Sequence, residues 1–557
     1  MLVPFIRRIG PTVSILLAGV ALAVLICGTP ASLPLRFEDA ARESGLNFVL
    51  DNSATPLKHQ IETMIGGVAV LDYNHDGRPD IYFVNGARLP DMDKSEPKFW
   101  NRLYRNDGRG KFTDVTDQAG VRGVGYGMGV AVGDYDNDGY PDIYIAGANR
   151  NQLLHNNRDG TFSDVTEKAG VAGLLRSSGK KPLAVSAGWF DYNNDGLLDL
   201  FVVNYLDWSM DHEPPCYSNH IRAYCSPASY QGEPSMLFRN NGDGTFTDVS
   251  ESSGISRYTG KGMGEAFADY DGDGYTDIFV ANDTYRNFLF HNRRDGTFEE
   301  VGILAGIAYN ENGKSIAGMG ADFRDVDNDG RPDLFVTGMI NDTFPLFRNS
   351  AEGFTDITSR AGLTHATLRL TGWSNGIFDL DNDGWKDLFT ANAGILDNSR
   401  EIDGTDYLQR NLVLRNEGGS RFEPVPISRH AAAHRGAAFA DFDGDGKVDI
   451  VVSVLNGPAE LLLNRSPNAN HWLDIELEGT KSNRDGLGAR IAVRTSSGTQ
   501  YNHATTSVGY GCSSDKRVHF GLGTATRTTE IRVLWPSGRK QILNDIAADQ
   551  VLHIREP

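Results

Sequence analysis

Seven stretches of the chain place carboxylates at a spacing that can wrap one hard cation. In one of them Asp134, Asp136, Asp138 and Asp142 occupy positions 1, 3, 5 and 9 of a nine-residue frame, with Gly139 at position 6. Glycine permits a sharp turn there, which folds the side chains inward, and a backbone carbonyl at position 7 can supply a further oxygen. The same frame holds Asp72, Asn74, Asp76 and Asp80; Asp191, Asn193, Asp195 and Asp199; and Asp269, Asp271, Asp273 and Asp277. It recurs with Asp325, Asp327, Asp329 and Asp333; Asp379, Asp381, Asp383 and Asp387; and Asp441, Asp443, Asp445 and Asp449. An all-oxygen cage suits Ca²⁺, whereas Zn²⁺ would want Cys or His.

Asp, Asn and Gly are also good turn residues, and a single such stretch would read as a turn. Seven stretches in one frame read as metal loops, because clustered carboxylates repel each other unless a cation intervenes. Up to seven Ca²⁺ are expected, weaker at Asn74 and Asn193, where one charge is missing. The ligands saturate the ion and no nucleophile or base recurs beside them, so the role is structural rather than catalytic.

These loops need elements to hold them. Each frame runs into a short apolar stretch, as in DIYFV from Asp80 and DIVVS from Asp449. A small residue stands five positions before each first Asp: Gly67, Gly129, Ser186, Gly264, Gly320, Ser374 and Gly436. From Asp72 to Asp441 the frame recurs at a mean of about 62 residues, room for four short strands and their turns. The small residues mark an innermost strand crowded around an axis. A Leu-x-x-Asn element and an outer Phe-x-Asp-Val-like element complete each repeat. The outer element appears first at Phe37, before any acidic loop, and is missing after Leu461. The N-terminal segment is therefore expected to complete the last blade, closing the ring and leaving no free edge. The alternative is an open superhelix. The reading is an all-β, seven-bladed propeller.

The seven loops resemble FG-GAP (VCBS) repeats of the integrin α-propeller type. The tail, NHWLDIELEGTKSNRDGLGARIAV from Asn470 with VHFGLG from Val518 and VLWPSGRKQ from Val533, resembles the ASPIC/UnbV domain. Together they resemble the cartilage acidic protein family, which implies secretion, calcium binding and an adhesive or matrix role. The organisation expected is a signal peptide or N-terminal anchor over residues 1–33, a propeller over 34–466 and an ASPIC/UnbV domain over 467–557. The tail alternates apolar and polar residues and reads as a small antiparallel β-domain. Asn483, Arg484, Asp485 and Gly486 read as a turn with a structural Arg or as a binding loop. Trp535 reads as part of a packed turn and His519 as a satisfied strand residue.

A net charge of −20 excludes nucleic acid as the partner, since that demands basic surface. Arg7 and Arg8 precede an apolar run over residues 13–26 and then small residues, an export signal or a retained anchor. No other segment is apolar and long enough to span a membrane, so the protein is expected to be secreted, periplasmic or on the cell surface. In such an oxidising compartment Cys216 and Cys225 read as a local disulfide, which leaves Cys512 as a buried small residue. Two insertions, residues 205–234 with the cysteine pair and residues 391–408, break the regular spacing. Long loops on a rigid ring are where recognition resides, and Tyr205, Trp208, Tyr217, Tyr224 and Tyr230 could stack on a sugar or anchor a protein. The function expected is an extracellular binding, adhesion or scaffold module for protein or polysaccharide. The alternatives are a carbohydrate-active hydrolase or lyase with its site at the propeller mouth, and a structural spacer. No Gly-x-Ser-x-Gly or His-Glu-x-x-His motif is present.

Overall fold

The computed structural model describes residues 35–173, 182–427, 430–467 and 469–557. The expected export signal lies outside the described residues. No helix among the described residues is long and apolar enough to cross a membrane.

Four-stranded antiparallel sheets dominate the molecule, and seven of them are the repeats read in the sequence. Their innermost strands are Val68–Leu71, Gly127–Gly133, Ala184–Phe190, Gly262–Ala268, Ala321–Arg324, Gly372–Phe378 and His434–Ala440. Each packs on the next, and the last packs on the first, so the sheets form a closed ring. Strand character follows from dense β-branched and aromatic residues. Inner and second strands, such as Gly127–Gly133 and Asp142–Gly147, are buried along their whole length except at half-buried Phe378, because neighbouring blades cover both faces.

Closure is as expected. Phe37–Asp39 pairs antiparallel with Glu460–Asn464, Phe37 opposite Asn464, and so supplies the outer strand of the seventh blade.

The Asn of each Leu-x-x-Asn element fastens the ring. Asn106 donates its side-chain amide to Phe442 O at 3.0 Å, Asn156 to Tyr73 O at 2.9 Å and Asn240 to Tyr135 O at 2.8 Å. Asn292, Asn349, Asn416 and Asn464 reach Tyr192 O, Tyr270 O, Val326 O and Leu380 O in the same way. Every blade is thus bonded to its predecessor, the first to the seventh.

The tail folds into two sheets. Thr499–His503, Arg490–Arg494, Glu530–Leu534 and Lys540–Asn544 form one, and Val518–Gly523, His471–Glu478 and Gln550–Arg555 the other. The expectation of purely antiparallel pairing is corrected at one place: Gln550–Arg555 runs parallel to His471–Glu478. That last strand ends beside the loop at residues 480–482, where the Glu556 carboxylate gathers three backbone N–H groups. Pro34–Pro557 form one compact unit.

A segment of the tail enters the propeller axis. Residues 506–515 leave the small sheets and touch the inner strand of every blade. Val70 N–H donates to Ser513 O, Val130 N–H to Gly511 O and Gly509 N–H to Ala321 O. Tyr510 N–H donates to Ser374 Oγ, Thr506 Oγ1 to Val132 O and Phe439 N–H to Ser514 Oγ. Three of the small residues read in the sequence make room for this plug, whereas a Cβ on Gly67 or Gly320 would meet the neighbouring inner strand, at Gly129 Cα or Trp373 O. A Cβ on Gly129 would lie 3.0 Å from Gly511 Cα, on Gly264 2.9 Å from Gly509 O, and on Gly436 2.6 Å from Cys512 Sγ.

Candidate functional site: the acidic loops and the two propeller faces

Each acidic frame links an inner strand to the second strand, so all seven loops lie on one face. Their local folding is the same in every copy. The first Asp accepts the N–H of the position-6 Gly at 2.7–2.9 Å, as in Gly77 to Asp72 and Gly196 to Asp191. The Asp at position 9 accepts the position-2 N–H on one oxygen and the N–H of the Leu-x-x-Asn asparagine on the other, as in Tyr73 and Asn106 to Asp80. One carboxylate therefore sets both the turn and the join to the third strand.

These contacts draw acids together. Asp134, Asp136 and Asp138 have ligand atoms within 4.8 Å of one another, as do Asp269, Asp271 and Asp277, and Asp325, Asp327 and Asp333. Burial pushes Asp80 and Asp134 up to about 8, Asp134 also through its neighbour Asp485. Asp142, Asp191 and Asp277 rise to about 7 by burial. Asp383 reaches about 7 through burial and the charge of Asp381. Asp199, Asp333, Asp387 and Asp449 are held well above the carboxylate range by burial.

A divalent cation fits this arrangement. At position 3, Asn74 Oδ1 and Asp443 Oδ1 are buried acceptors with no hydrogen-bond partner. Buried acceptors are rarely left bare, and a cation in the loop would satisfy them. The side chains of the nine-residue frames are hard oxygens, and in two loops a histidine nitrogen, His155 or His291, stands beside them. The two loops with Asn at position 3 differ in one detail: Asn74 and Asn193 turn their amides to Asp76 and Asp195 at 2.9 and 2.8 Å.

Sequence reasoning missed a further set of residues. In three blades the residue before the Leu-x-x-Asn asparagine overhangs the loop. His155 Nδ1 lies 3.1 Å from Asp142 and 3.6 Å from Asp136, and His291 Nδ1 lies 3.3 Å from Asp277 and 3.4 Å from Asp271. In the fifth blade Arg348 takes the same place, 2.9 Å from Asp327. The signal was present as an Arg or His before the asparagine in six of the seven elements, but its target is set by the strand register.

The tail caps this face. Asp485 accepts the N–H of Asp134 at 2.9 Å, and the backbone N–H of Arg484 donates to Asn137 Oδ1 at 2.7 Å. Arg490 Nη1 lies 3.1 Å from Asp269. His519 bridges Asp474 and Asn382, each at 2.7 Å. Lys386, fully buried, donates to Asp325 O and Tyr501 O. Thus the turn at residues 483–486 is an internal docking point. Trp535 is buried with its Nε1 on Gln541 Oε1. A cavity of about 740 Å³ lies between this sheet and blades four and five, walled mainly by apolar groups such as Phe267, Leu487 and Val533.

The opposite face is irregular. Cys216 and Cys225 form a disulfide with Cα atoms 5.1 Å apart. Cys512 is free, buried in the axis and pushed up to about 12 by burial. The two insertions meet there: Asn219 donates to Ile402 O at 2.8 Å and Asn398 to Arg222 O at 2.9 Å. Of the five aromatics singled out, Tyr205 and Trp208 are buried, Tyr224 lines a pocket, Tyr230 bonds Glu213, and Tyr217 is 65 % exposed.

A closed ring of four-stranded sheets, each with an acidic turn on one face, defines an acidic-loop β-propeller. The chain belongs to the FG-GAP-like repeat family, whose model matches residues 72–145, 134–202, 228–280, 269–336, 325–390 and 379–452. The ASPIC and UnbV model matches residues 479–557. The chain is 26 % identical to cartilage acidic protein 1 of Mus musculus over 513 residues, covering 88 % of this chain and 73 % of that protein. It is likewise 26 % identical to cartilage acidic protein 1 of Homo sapiens over 514 residues, covering 88 % and 71 %. Among solved structures, YCF48 bound to a D1 peptide aligns with a TM-score of 0.43 at 8 % identity, covering 79 % of this chain and all of that one.

Proposed function

We propose that the protein is an exported, calcium-binding propeller that acts as an extracellular binding or scaffold module for protein or polysaccharide, and not as an enzyme. The observation that carries this reading is the repetition of one acidic cage seven times around a closed ring. A catalytic metal needs one loop to differ by keeping a ligand position open, whereas these loops share one hydrogen-bond plan. Asp at positions 1, 5 and 9 and Asp or Asn at position 3 would hold Ca²⁺, which supplies charge compensation and a cross-link between the turn and the ring. The plugged axis supports a binding role, because residues 506–515 fill the space where an axial active site would lie. The disulfide supports export, since such bonds persist in oxidising compartments.

Metal content and thermal unfolding of the exported protein, in excess chelator and in millimolar Ca²⁺, test the metal. A polysaccharide array run beside a hydrolase and lyase panel tests the module. Turnover of any polymer without retention would replace the binding reading by an enzyme.

A further inference from the structure

Arg435 is a fully buried cation that lacks an anionic partner. It stands on the inner strand of the seventh blade, at the end of the axis away from the acidic loops, and is 0 % exposed. Its Nε donates to Thr63 O at 3.1 Å, Nη1 to His434 O at 3.0 Å and Nη2 to Tyr407 Oη at 3.4 Å. All three acceptors are neutral, and a guanidinium carries five N–H donors. Its face lies against Trp373, with the guanidinium carbon 4.1 Å from the ring centroid. The indole is itself fixed by Trp373 Nε1 on Ala393 O at 3.0 Å. The fork is therefore rigid, and Arg435 is among the residues that wall a pocket.

That pocket has a volume of about 220 Å³ and is lined by Arg435, Tyr224, Tyr407, Asn52 and Asn456, with Glu62 and Asp397 at its wall. The wall acids are engaged elsewhere. Asp397 pairs with Lys58 at 2.6 Å. Glu62 receives the hydroxyls of Thr55 at 2.7 Å and Tyr224 at 3.0 Å, and burial raises its carboxyl above the usual range. No described carboxylate lies in ion-pair reach of Arg435. A buried charge without a partner is costly, so this position calls for an anion from outside. Both insertions contribute walls: Tyr224 comes from the first, and Asp397 and Tyr407 from the second.

We propose that this pocket binds the carboxylate of a single sugar-acid residue, a uronate, with Arg435 as its anchor. The inference rests on the binding-module reading and assigns its ligand. A planar carboxylate matches the guanidinium fork. One guanidinium beside two wall acids suits one negative charge and disfavours a doubly charged phosphate. The volume admits one ring and excludes a strand or helix. The two tyrosines and two asparagines offer a ring face and hydroxyl partners.

The test is calorimetric titration of the full calcium-loaded chain with glucuronate, galacturonate, glucose and an acidic peptide. Both uronates should bind, with glucose weaker by about tenfold or more, the worth of one charge-assisted pair. Arg435→Gln should lose uronate binding. Tyr407→Ala, on the half-buried insertion, should weaken it about tenfold with an unchanged melting temperature, and it remains decisive if the Arg435 variant does not fold. Glucose binding as tightly as glucuronate, preference for the acidic peptide, or unchanged uronate affinity in either variant would overturn the assignment. If polysaccharides are retained equally by the natural protein and by Arg435→Gln, this pocket is wrong and the module reading stands. If nothing is retained and no uronate binds, both fall.

Discussion

The two faces of the propeller are built on opposite principles. On the acidic face one local plan is copied seven times: position-1 carboxylate to Gly N–H, position-9 carboxylate to the third strand. On the other face the blades are joined by unequal insertions held by the Cys216–Cys225 bond and by cross-contacts such as Asn398 to Arg222 O. Repetition serves stability, since each blade adds the same bonds to its neighbour. Irregularity is what a selective pocket would need, since the walls around Arg435 are residues that occur once. The plug joins the two faces: it descends from the tail that caps the acidic loops, and Tyr510 at its tip bonds Met64 O on the far side.

The contrast is broken most severely by removing metal. Excess chelator should lower the melting temperature by on the order of 10 °C, because each site occupied at a hundredfold over its Kd contributes about 2.7 kcal/mol. Ca²⁺ should restore it better than Mg²⁺, which keeps its waters. The loss should depend on pH. Asp80 and Asp134 lie near 8 in the metal-free fold through burial, above their unfolded value near about 3.9. Their protonated forms thus favour the fold. That stability is complete below the unfolded value and is lost as pH rises through about 8. Metal-free protein should therefore melt lower at pH 8 than at pH 5.5, while the calcium-loaded form should not. A chelator-insensitive midpoint with no bound calcium would leave the loops as turns.

Next in size is the axis. Gly129→Val would place a side chain 2.5 Å from Val185 O and 3.0 Å from Gly511 Cα, where neither backbone can yield. The expected cost is about 3 kcal/mol or more, read by denaturant unfolding, together with faster proteolysis of the tail. Intact protection of the tail would mean that the plug is dispensable.

A smaller effect is expected at the inter-blade ring. Asn106→Ala removes the bonds to Phe442 O and Pro79 O and leaves buried carbonyls unpaired. The cost should be about 1–3 kcal/mol, visible as a lower denaturant midpoint. The change should spare calcium stoichiometry, because Asp80 is untouched.

The smallest global effect should come from the irregular face. Replacing Cys216 and Cys225 by Ser should barely move the melting temperature, because the insertion can open without the ring. It should speed cleavage within residues 205–234 severalfold. A large drop in melting temperature would show that the insertion braces the ring.

The regular half of this protein was written in its sequence. The nine-residue frame, the small residues before it and the outer element displaced to Phe37 carried the ring, its closure and the acidic turns on one face, because each depends on contacts within one repeat or between neighbours. Cys216 and Cys225 were readable for the same reason, being nine residues apart. What the sequence left open depends on contacts across hundreds of residues. The tail read as a small domain of alternating strands, and nothing in residues 506–515 announces a plug. Its fit is decided by seven inner strands that present small residues only when they are brought together. Gln550–Arg555 could pair either way, and only the register with His471–Glu478 made it parallel. His155 and His291 became neighbours of Asp142 and Asp277 through strand pairing rather than spacing. Arg435 is the sharpest case. In sequence it is one arginine beside a histidine; in the fold it is a buried charge whose partners, Thr63, Trp373 and Tyr407, come from three distant segments. Local patterns fix strands and turns because their energies are local, whereas the environment of a buried charge is set by everything the fold packs around it.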